Sequence, residues 1–237
     1  MFSGIVTNIA TVSNIFYRHD SKNKLDFDIA IELPVSSLLP RYVNRLENGC
    51  SIACNGICLT LTAYNIYRKT SILPNNISQN NEGTEFISFN FTASAETIAK
   101  TTIGDWHLGR KINLEFAIAA GEEFGGHFVS GHIDSVSRVD NIKISGDCWE
   151  VTFALPKIIA NNVVDKGSVT IDGVSLTINK IYSKLEDYFF EVMIIPYTLQ
   201  NSNLSNLKIG DFCNIEVDLI AKHIAKQIAH FLPQKPL

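Results

Sequence analysis

Apolar and polar residues alternate along most of this chain in bursts of five to ten, the signature of half-buried strands rather than helices. The clearest burst is residues 25–33, where Leu25, Phe27, Ile29, Ile31 and Leu33 are apolar and Pro34 ends the run. A looser alternation over residues 2–16, with Phe2, Ile5, Ile9, Val12 and Ile15 apolar, predicts a strand before it. Residues 35–46 carry Leu38, Leu39, Val43 and Leu46 and read as a short helix. Residues 63–70 continue as a strand, 74–84 form a polar loop, and 86–91 alternate again.

Residues 49–62 and 166–179 carry one pattern twice: an alternating run, a turn dipeptide and a second alternating run. Asn55-Gly56 holds the place of Asp172-Gly173, Cys58 that of Ser175 and Thr60 that of Thr177. Asn-Gly and Asp-Gly are strong hairpin signals because the tight turn needs positive φ at both central residues. The match extends further. Thr97, Gly109, Asn113 and Glu115 recur 101 residues on as Thr198, Gly210, Asn214 and Glu216, and Ser3-Gly4 recurs 127 on as Ser130-Gly131. The falling offset puts longer loops in the first half, 74–84 being the obvious one.

A repeat of this reach is a duplication. It divides the chain into units at residues 1–119 and 120–218, with 120–125 as the linker opening the second. Each unit holds about six short strands bounded by turn residues, which predicts a small antiparallel barrel or sandwich. Beyond them Ile220, Ile224, Ile228 and Leu232 recur every fourth residue, with Ala221, Ala225 and Ala229 alongside, until Pro233. This predicts a helix within 219–237, and the simplest partner for its apolar stripe is the same helix of another subunit.

Composition narrows the classes. Apolar residues are 46% and charged residues 19% of 237, enough for packed cores and against disorder. A net charge of −4 gives no electrostatic reason to expect nucleic acid or an anionic membrane. No apolar run reaches the roughly 18 residues of a membrane span, and residues 1–6 carry no secretory signal. Five cysteines without a spaced framework suit reduced thiols in a cytoplasm.

The chemistry-bearing residues gather around the repeated motif. His127 and His132 are five apart, which puts them on opposite faces of a strand and argues against a shared metal. Either one alone reads as a hydrogen-bonding group at a glycine-rich strand start. Cys50, Cys54 and Cys58 lack a fourth ligand nearby, so Cys50, Cys54, Cys148 and Cys213 read as small hydrophobes. Cys58 differs because Ser175 matches it: a thiol and a hydroxyl mark equivalent edges of two related pockets. Gly125-Gly126 and Gly131 fit no phosphate-loop pattern and suit turns or close backbone approach. Lys166, Asp172, Ser175 and Thr177 surround one turn, and on residue type alone a surface turn explains them as well as a site does.

The order and spacing of these motifs resemble the riboflavin synthase/lumazine protein family, and within it the homotrimeric α-chain synthases. The matching residues run from Phe2-Ser3-Gly4-Ile5-Val6 through Asn55-Gly56, Cys58-Leu59-Thr60, Glu96-Thr97, Gly125 to Asp134, Lys166 and Asp172 to Thr177, as far as Ile195-Pro196-Tyr197-Thr198. The resemblance implies an all-β fold of two tandem six-stranded Greek-key barrels plus the C-terminal helix. It implies a transferase of riboflavin biosynthesis, acting at its last step. Two molecules of 6,7-dimethyl-8-ribityllumazine would exchange a four-carbon unit, giving riboflavin and 5-amino-6-(ribitylamino)uracil. It implies no metal or organic cofactor, a cytoplasmic homotrimer and association with lumazine synthase. The active site would lie between the first barrel of one subunit and the second barrel of its neighbour, with two lumazines in each.

Carried over residue by residue, the resemblance assigns chemistry to His132 and Ser175 in the second barrel, faced by Cys58 from the first, with Asp172 beside them. Substrate contacts fall to Phe2, Gly4, Ile5 and Val6, to Cys58, Leu59 and Thr60, and to Thr92, Ala93, Ser94, Ala95, Glu96 and Thr97. In the second half they fall to Gly131, His132 and Ile133, to Lys166, Ser175, Leu176 and Thr177, and to Ile195, Pro196, Tyr197, Thr198, Leu199 and Gln200. Phe2 would close the junction. Ser3 stands where the family usually has Thr, and Tyr197 where His or Glu is common. A non-catalytic lumazine carrier of the same fold is the rival reading. It is disfavoured because Lys166, His132 and the second-half motif are all present.

Overall fold

A computed structural model describes residues 1–19, 25–69 and 83–231. Most of the expected 74–84 loop, and the stop at Pro233, lie outside the described residues. In the first half the strands are β1 (Asn8–His19), β2 (Leu25–Pro34), β3 (Ser51–Cys54), β4 (Ile57–Lys69), β5 (Thr84–Ala93) and β6 (Lys111–Phe116). They close into a barrel in the order β1-β2-β5-β4-β3-β6, with every pair antiparallel. Two short helices, α1 (Pro40–Val43) and α2 (Ala95–Lys100), fill the connections.

The second half repeats this with β7 (Ser135–Ser145), β8 (Cys148–Ala154), β9 (Ser168–Ile171), β10 (Val174–Lys184), β11 (Asp187–Ile194), helix α3 (Pro196–Asn201) and β12 (Phe212–Val217). Its ring, β7-β8-β11-β10-β9-β12, is the same circuit. Even the irregularities recur. The first strand of each half slips register at Ser13 or at Asp140, and the fourth slips at Thr62 or at Asn179. Helix α4 (Leu219–Phe231) follows the last strand.

Closure leaves neither sheet an open edge and gives each half its own core. Phe27, Ile29 and Ile31 on β2, Leu61 on β4 and Phe89 and Phe91 on β5 fill the first. Val151 and Phe153, Val169, Phe190 and Val192, and Ile215 fill the second, with Phe153 and Phe190 stacked at 5.3 Å. The Asn55-Gly56 and Asp172-Gly173 turns have φ of 46° and 78°, and 45° and 79°, as their sequences require.

Two expectations are corrected. Residues 2–7 do not belong to the first strand, which begins at Asn8. Phe2 pairs instead with Val129, at the start of the second half. The expected 35–46 helix is broken into a turn of 3-10 helix, Val35–Ser37, and α1. Pro40 has no N–H to continue the first turn, so it opens a new one.

The diversion of residues 2–7 positions the site. Glu115 on β6 accepts from Ser3 N at 2.6 Å, Ser3 Oγ at 2.9 Å and Gly4 N at 2.9 Å. Glu216 on β12 grips Ser130 N, Ser130 Oγ and Gly131 N in the same way, at 2.7, 2.7 and 2.9 Å. Each leader then crosses to the other barrel. The Gly4 carbonyl accepts from Ser175 N and the Gly131 carbonyl from Cys58 N, both at 2.8 Å. Val6 packs on the second core and Ile133 on the first. A Cβ at Gly131 would lie 2.5 Å from Cys58 Cβ, so only glycine allows this approach.

Candidate active site

The crossed leaders bring together two related sets of candidate residues, one for each pocket expected from the sequence. In the first, Cys58, Leu59 and Thr60 begin β4. β5 lies antiparallel beside them, Leu61 opposite Phe91, and runs on through Thr92 and Ala93 into Ser94, Ala95, Glu96 and Thr97 at the start of α2. Ser94 caps that helix, its Oγ accepting from Thr97 N at 3.3 Å. Gly131, His132 and Ile133 form the third wall. In the second pocket Ser175, Leu176 and Thr177 on β10 lie beside β11, which leads into Ile195, Pro196, Tyr197, Thr198, Leu199 and Gln200 at α3. Gly4, Ile5 and Val6 complete it. Ile5 is 46% exposed, Ile195 51% and Tyr197 72%, so this wall is open on the single chain.

His132 and Ser175, expected together, belong to different pockets within one chain: the His132 leader lies on Cys58, and Ser175 meets the Gly4 leader. The imidazole beside Ser175 is that of His127, whose Nδ1 is 2.7 Å from Ser175 Oγ. Gly126 makes this possible, because a Cβ there would collide with the Ser3 carbonyl. Backbone fixes the ring further, since His127 N donates to Ser3 O at 3.1 Å. Burial holds the His127 pKa below its usual 6.5, with the Asp218 charge partly opposing. The ring is therefore neutral at neutral pH, its Nε2 is buried without a hydrogen-bond partner among the described residues, and in the tautomer whose Nδ1 accepts it has the geometry of a base for the Ser175 hydroxyl. Among the described residues no imidazole is hydrogen-bonded to the Cys58 thiol, so the two pockets differ here.

Asp172, expected beside the chemistry, is sealed in the seam between the barrels at 3% exposure. Gly56 and Gly173 meet back to back there, each leaving no room for a Cβ against the other's backbone. Asp172 Oδ1 accepts from Asn214 N at 2.8 Å, and Asn55 Oδ1 accepts from Asn113 N at 2.8 Å. The two asparagine side chains cross over, Asn113 Nδ2 to Asp172 O at 2.9 Å and Asn214 Nδ2 to Asn55 O at 3.0 Å. This assigns the Asp172 carboxylate to bracing β12 of its own barrel, while its carbonyl takes the bond across the seam. Phe2 lies in the same seam, fully buried with Ala53 and Val129. Lys166 is exposed, with φ of 65° and its N–H on Ile178 O at 2.7 Å.

Burial pushes the Asp172 carboxyl up from 3.8 to about 7, while the Asn214 amide, Arg110 and the Cys213 thiol partly offset it. Between these values the folded state holds an extra proton, so stability falls as pH rises from about 4 to 7 and then levels. Asp172→Asn, which copies Asn55, should flatten that slope and add on the order of 2 kcal/mol at pH 8. Urea unfolding of both proteins at pH 5 and pH 8 measures it; equal gains at both pH values would contradict the assignment.

The fold and pockets define a class, and the comparisons agree with it: the family model described as "Lumazine binding domain" matches residues 3–117 and 130–218. A solved structure of LumP complexed with 6,7-dimethyl-8-(1'-D-ribityl) lumazine has the same fold. Its TM-score is 0.66 at 24% identity, covering 92% of this chain and 99% of that one. Riboflavin synthase of Brucella abortus is 33% identical over 226 residues, 95% of this chain and 97% of that protein. Riboflavin synthase of Bacillus subtilis is 32% identical over 226 residues, 94% and 88% of the two. The chain belongs to the riboflavin synthase family of enzymes. Sequence reasoning missed His127 as the partner of Ser175. The available signal was Gly125-Gly126 directly before it, which marks a close backbone approach.

Proposed function

We propose that the chain converts two molecules of 6,7-dimethyl-8-ribityllumazine into riboflavin and 5-amino-6-(ribitylamino)uracil, using the two pockets as paired half-sites. The observation that carries this reading is the Ser175–His127 pair at 2.7 Å in one of two otherwise matched pockets. The two half-sites thus share a shape and differ in proton chemistry, which suits two identical substrates that must play different parts. The 7-methyl group of the lumazine is a carbon acid, because its carbanion delocalises into the ring. His127, acting through Ser175, would take that proton. Holding two flat rings face to face contributes effective molarity to the carbon–carbon bond formation that follows. The four-carbon unit passes whole from one lumazine to the other, so atoms balance without an added oxidant. His132 and Cys58 would serve the partner ring. Thr60, Thr97, Thr177 and Thr198, with Glu96, would hold ring amides and the ribityl chains.

The half-sites open outward, so the working site joins the first barrel of one subunit to the second barrel of its neighbour. Ile220, Ile224 and Ile228 on α4 are each about half exposed and form one stripe, which suits assembly of three chains through this helix. The working units are then 1–119, 120–218 and the helix region 219–237. The five cysteines are free thiols, which suits a cytoplasmic enzyme.

Purified protein mixed with the lumazine alone tests the reading by riboflavin absorbance. One riboflavin for every two lumazines consumed supports it; tight binding without product would make the chain a carrier. Ending the chain at Asp218 should give single chains by sedimentation and at least about tenfold slower turnover. A fully active single chain would overturn the shared site.

A further inference from the structure

We propose that Asp134 and Lys222 form a positioning pair that couples the seating of α4 to the leader carrying His132, so that the first-half pocket takes its working shape only with the helix docked. This rests on the reading of that pocket as a lumazine half-site. Lys222 Nζ lies 2.9 Å from both oxygens of Asp134, and Asp134 Oδ2 also accepts from Val217 N at 2.9 Å. The pair is largely shielded, at 25% and 20% side-chain exposure. Asp134 stands where the leader ends and the second barrel begins. Its N–H is fixed on Ile215 O at 2.9 Å, and the preceding Ile133 is packed into the first core. A carboxylate gripped from the helix side therefore fixes the base of the short segment that lays Gly131 on Cys58 and carries His132.

The repeat isolates what is special here. The first-half counterpart of Asp134 is Thr7, 127 residues earlier, whose N and Oγ1 both donate to Leu114 O, at 2.8 and 3.1 Å, on β6 of its own barrel. At the matching exit from the first barrel the chain continues as the linker to His127, whereas after β12 it continues as α4. An acidic residue thus appears only in the half where the exiting segment is a helix with a lysine in its first turns. That helix also starts on Asp218, whose Oδ1 accepts from Ile220 N at 2.8 Å. Among the described residues its other substantial contact with the body is the 3-10 turn Ala160–Asn162. The ion pair is therefore the polar link between the assembly helix and a pocket wall.

The test compares Lys222→Met, which keeps length and loses charge, with Lys222→Arg, which keeps the charge. Riboflavin formation, lumazine titration and sedimentation are measured on each. Lys222→Met should lower kcat about tenfold, with KM changed less than threefold and sedimentation unchanged. Lys222→Arg should stay within about threefold of the parent, and Asp134→Asn should match Lys222→Met. Full kcat in Lys222→Met, a loss that tracks dissociation of chains, or a loss that Lys222→Arg does not restore would each overturn the pairing role. Titration separates this inference from the proposed reaction. If the parent protein makes no riboflavin, Lys222→Met should still weaken one class of lumazine site about tenfold and spare the other. Unchanged binding at both classes would then refute the coupling.

Discussion

Replacing His127 by glutamine should lower riboflavin formation by about 10²- to 10⁴-fold, the range over which a positioned general base acts. The side chain keeps its size and the backbone bond to Ser3 O is untouched, so circular dichroism and Tm should change little. The basis is the 2.7 Å contact between Nδ1 and Ser175 Oγ. Ser175→Ala should cost a similar factor, and the double variant should be hardly slower than either single one, because the two groups act as a unit. The pH profile gives an independent check. Activity needs the neutral ring, so it should rise with pH through a midpoint below 6.5, the direction in which burial moves this imidazole. The acid limb should vanish in His127→Gln. Rates within about threefold of the parent, or an unchanged acid limb, would remove His127 from the chemistry.

Glu216→Ala should destabilise the protein by about 4 kcal/mol, a Tm drop on the order of 10 °C for a chain of this size. The carboxylate is fully buried and satisfies Ser130 N, Ser130 Oγ and Gly131 N together. Its removal strands three donors where water cannot readily replace it, and each charge-assisted bond of this kind contributes about 1.5–3 kcal/mol. Relaxation of the leader recovers part of the sum. The damage should be local as well as global, because the Gly131 leader is then no longer pressed on Cys58. Glu115→Ala should do the same to the Gly4 leader and the Ser175 pocket. Calorimetry of the two variants decides the matter. A loss below about 1 kcal/mol in both would mean that the leaders are held by something other than these carboxylates.

The barrels were legible in the sequence because strand period and hairpin chemistry are local. Asn55-Gly56 and Asp172-Gly173 announce their turns directly, and the constant 101-residue offset matches β6 to β12. Helix α4 was legible for the same reason, its isoleucines recurring every fourth residue. What escaped was set by tertiary packing. Phe2 and Ile5 alternate like strand residues, yet Glu115, more than a hundred residues away, draws the leader out of β1. Asp172 carries the charge of a catalytic group, and only the seam reveals that Asn214 and Asn113 use it and its backbone as structural partners. His127 and His132 are alike in type and spacing. Both lie on the segment entering the second barrel: His127 falls where it runs beside Ser3 and reaches Ser175, His132 falls beyond the crossing at Gly131, and no periodicity encodes that.

The crossed leaders also dictate an order of events during folding. Ser3 and Glu115 are 112 residues apart in sequence, and the Ser175 strand that receives Gly4 comes later still. Closing loops of that length is entropically costly before the contacts exist to offset it, so such contacts form late. Each barrel can collect its own strands first, whereas neither pocket can be finished until both barrels have closed and exchanged leaders. Refolding followed by barrel fluorescence should therefore run ahead of refolding followed by lumazine binding, and a chain released from the ribosome matures its binding surfaces only after its last strand has emerged.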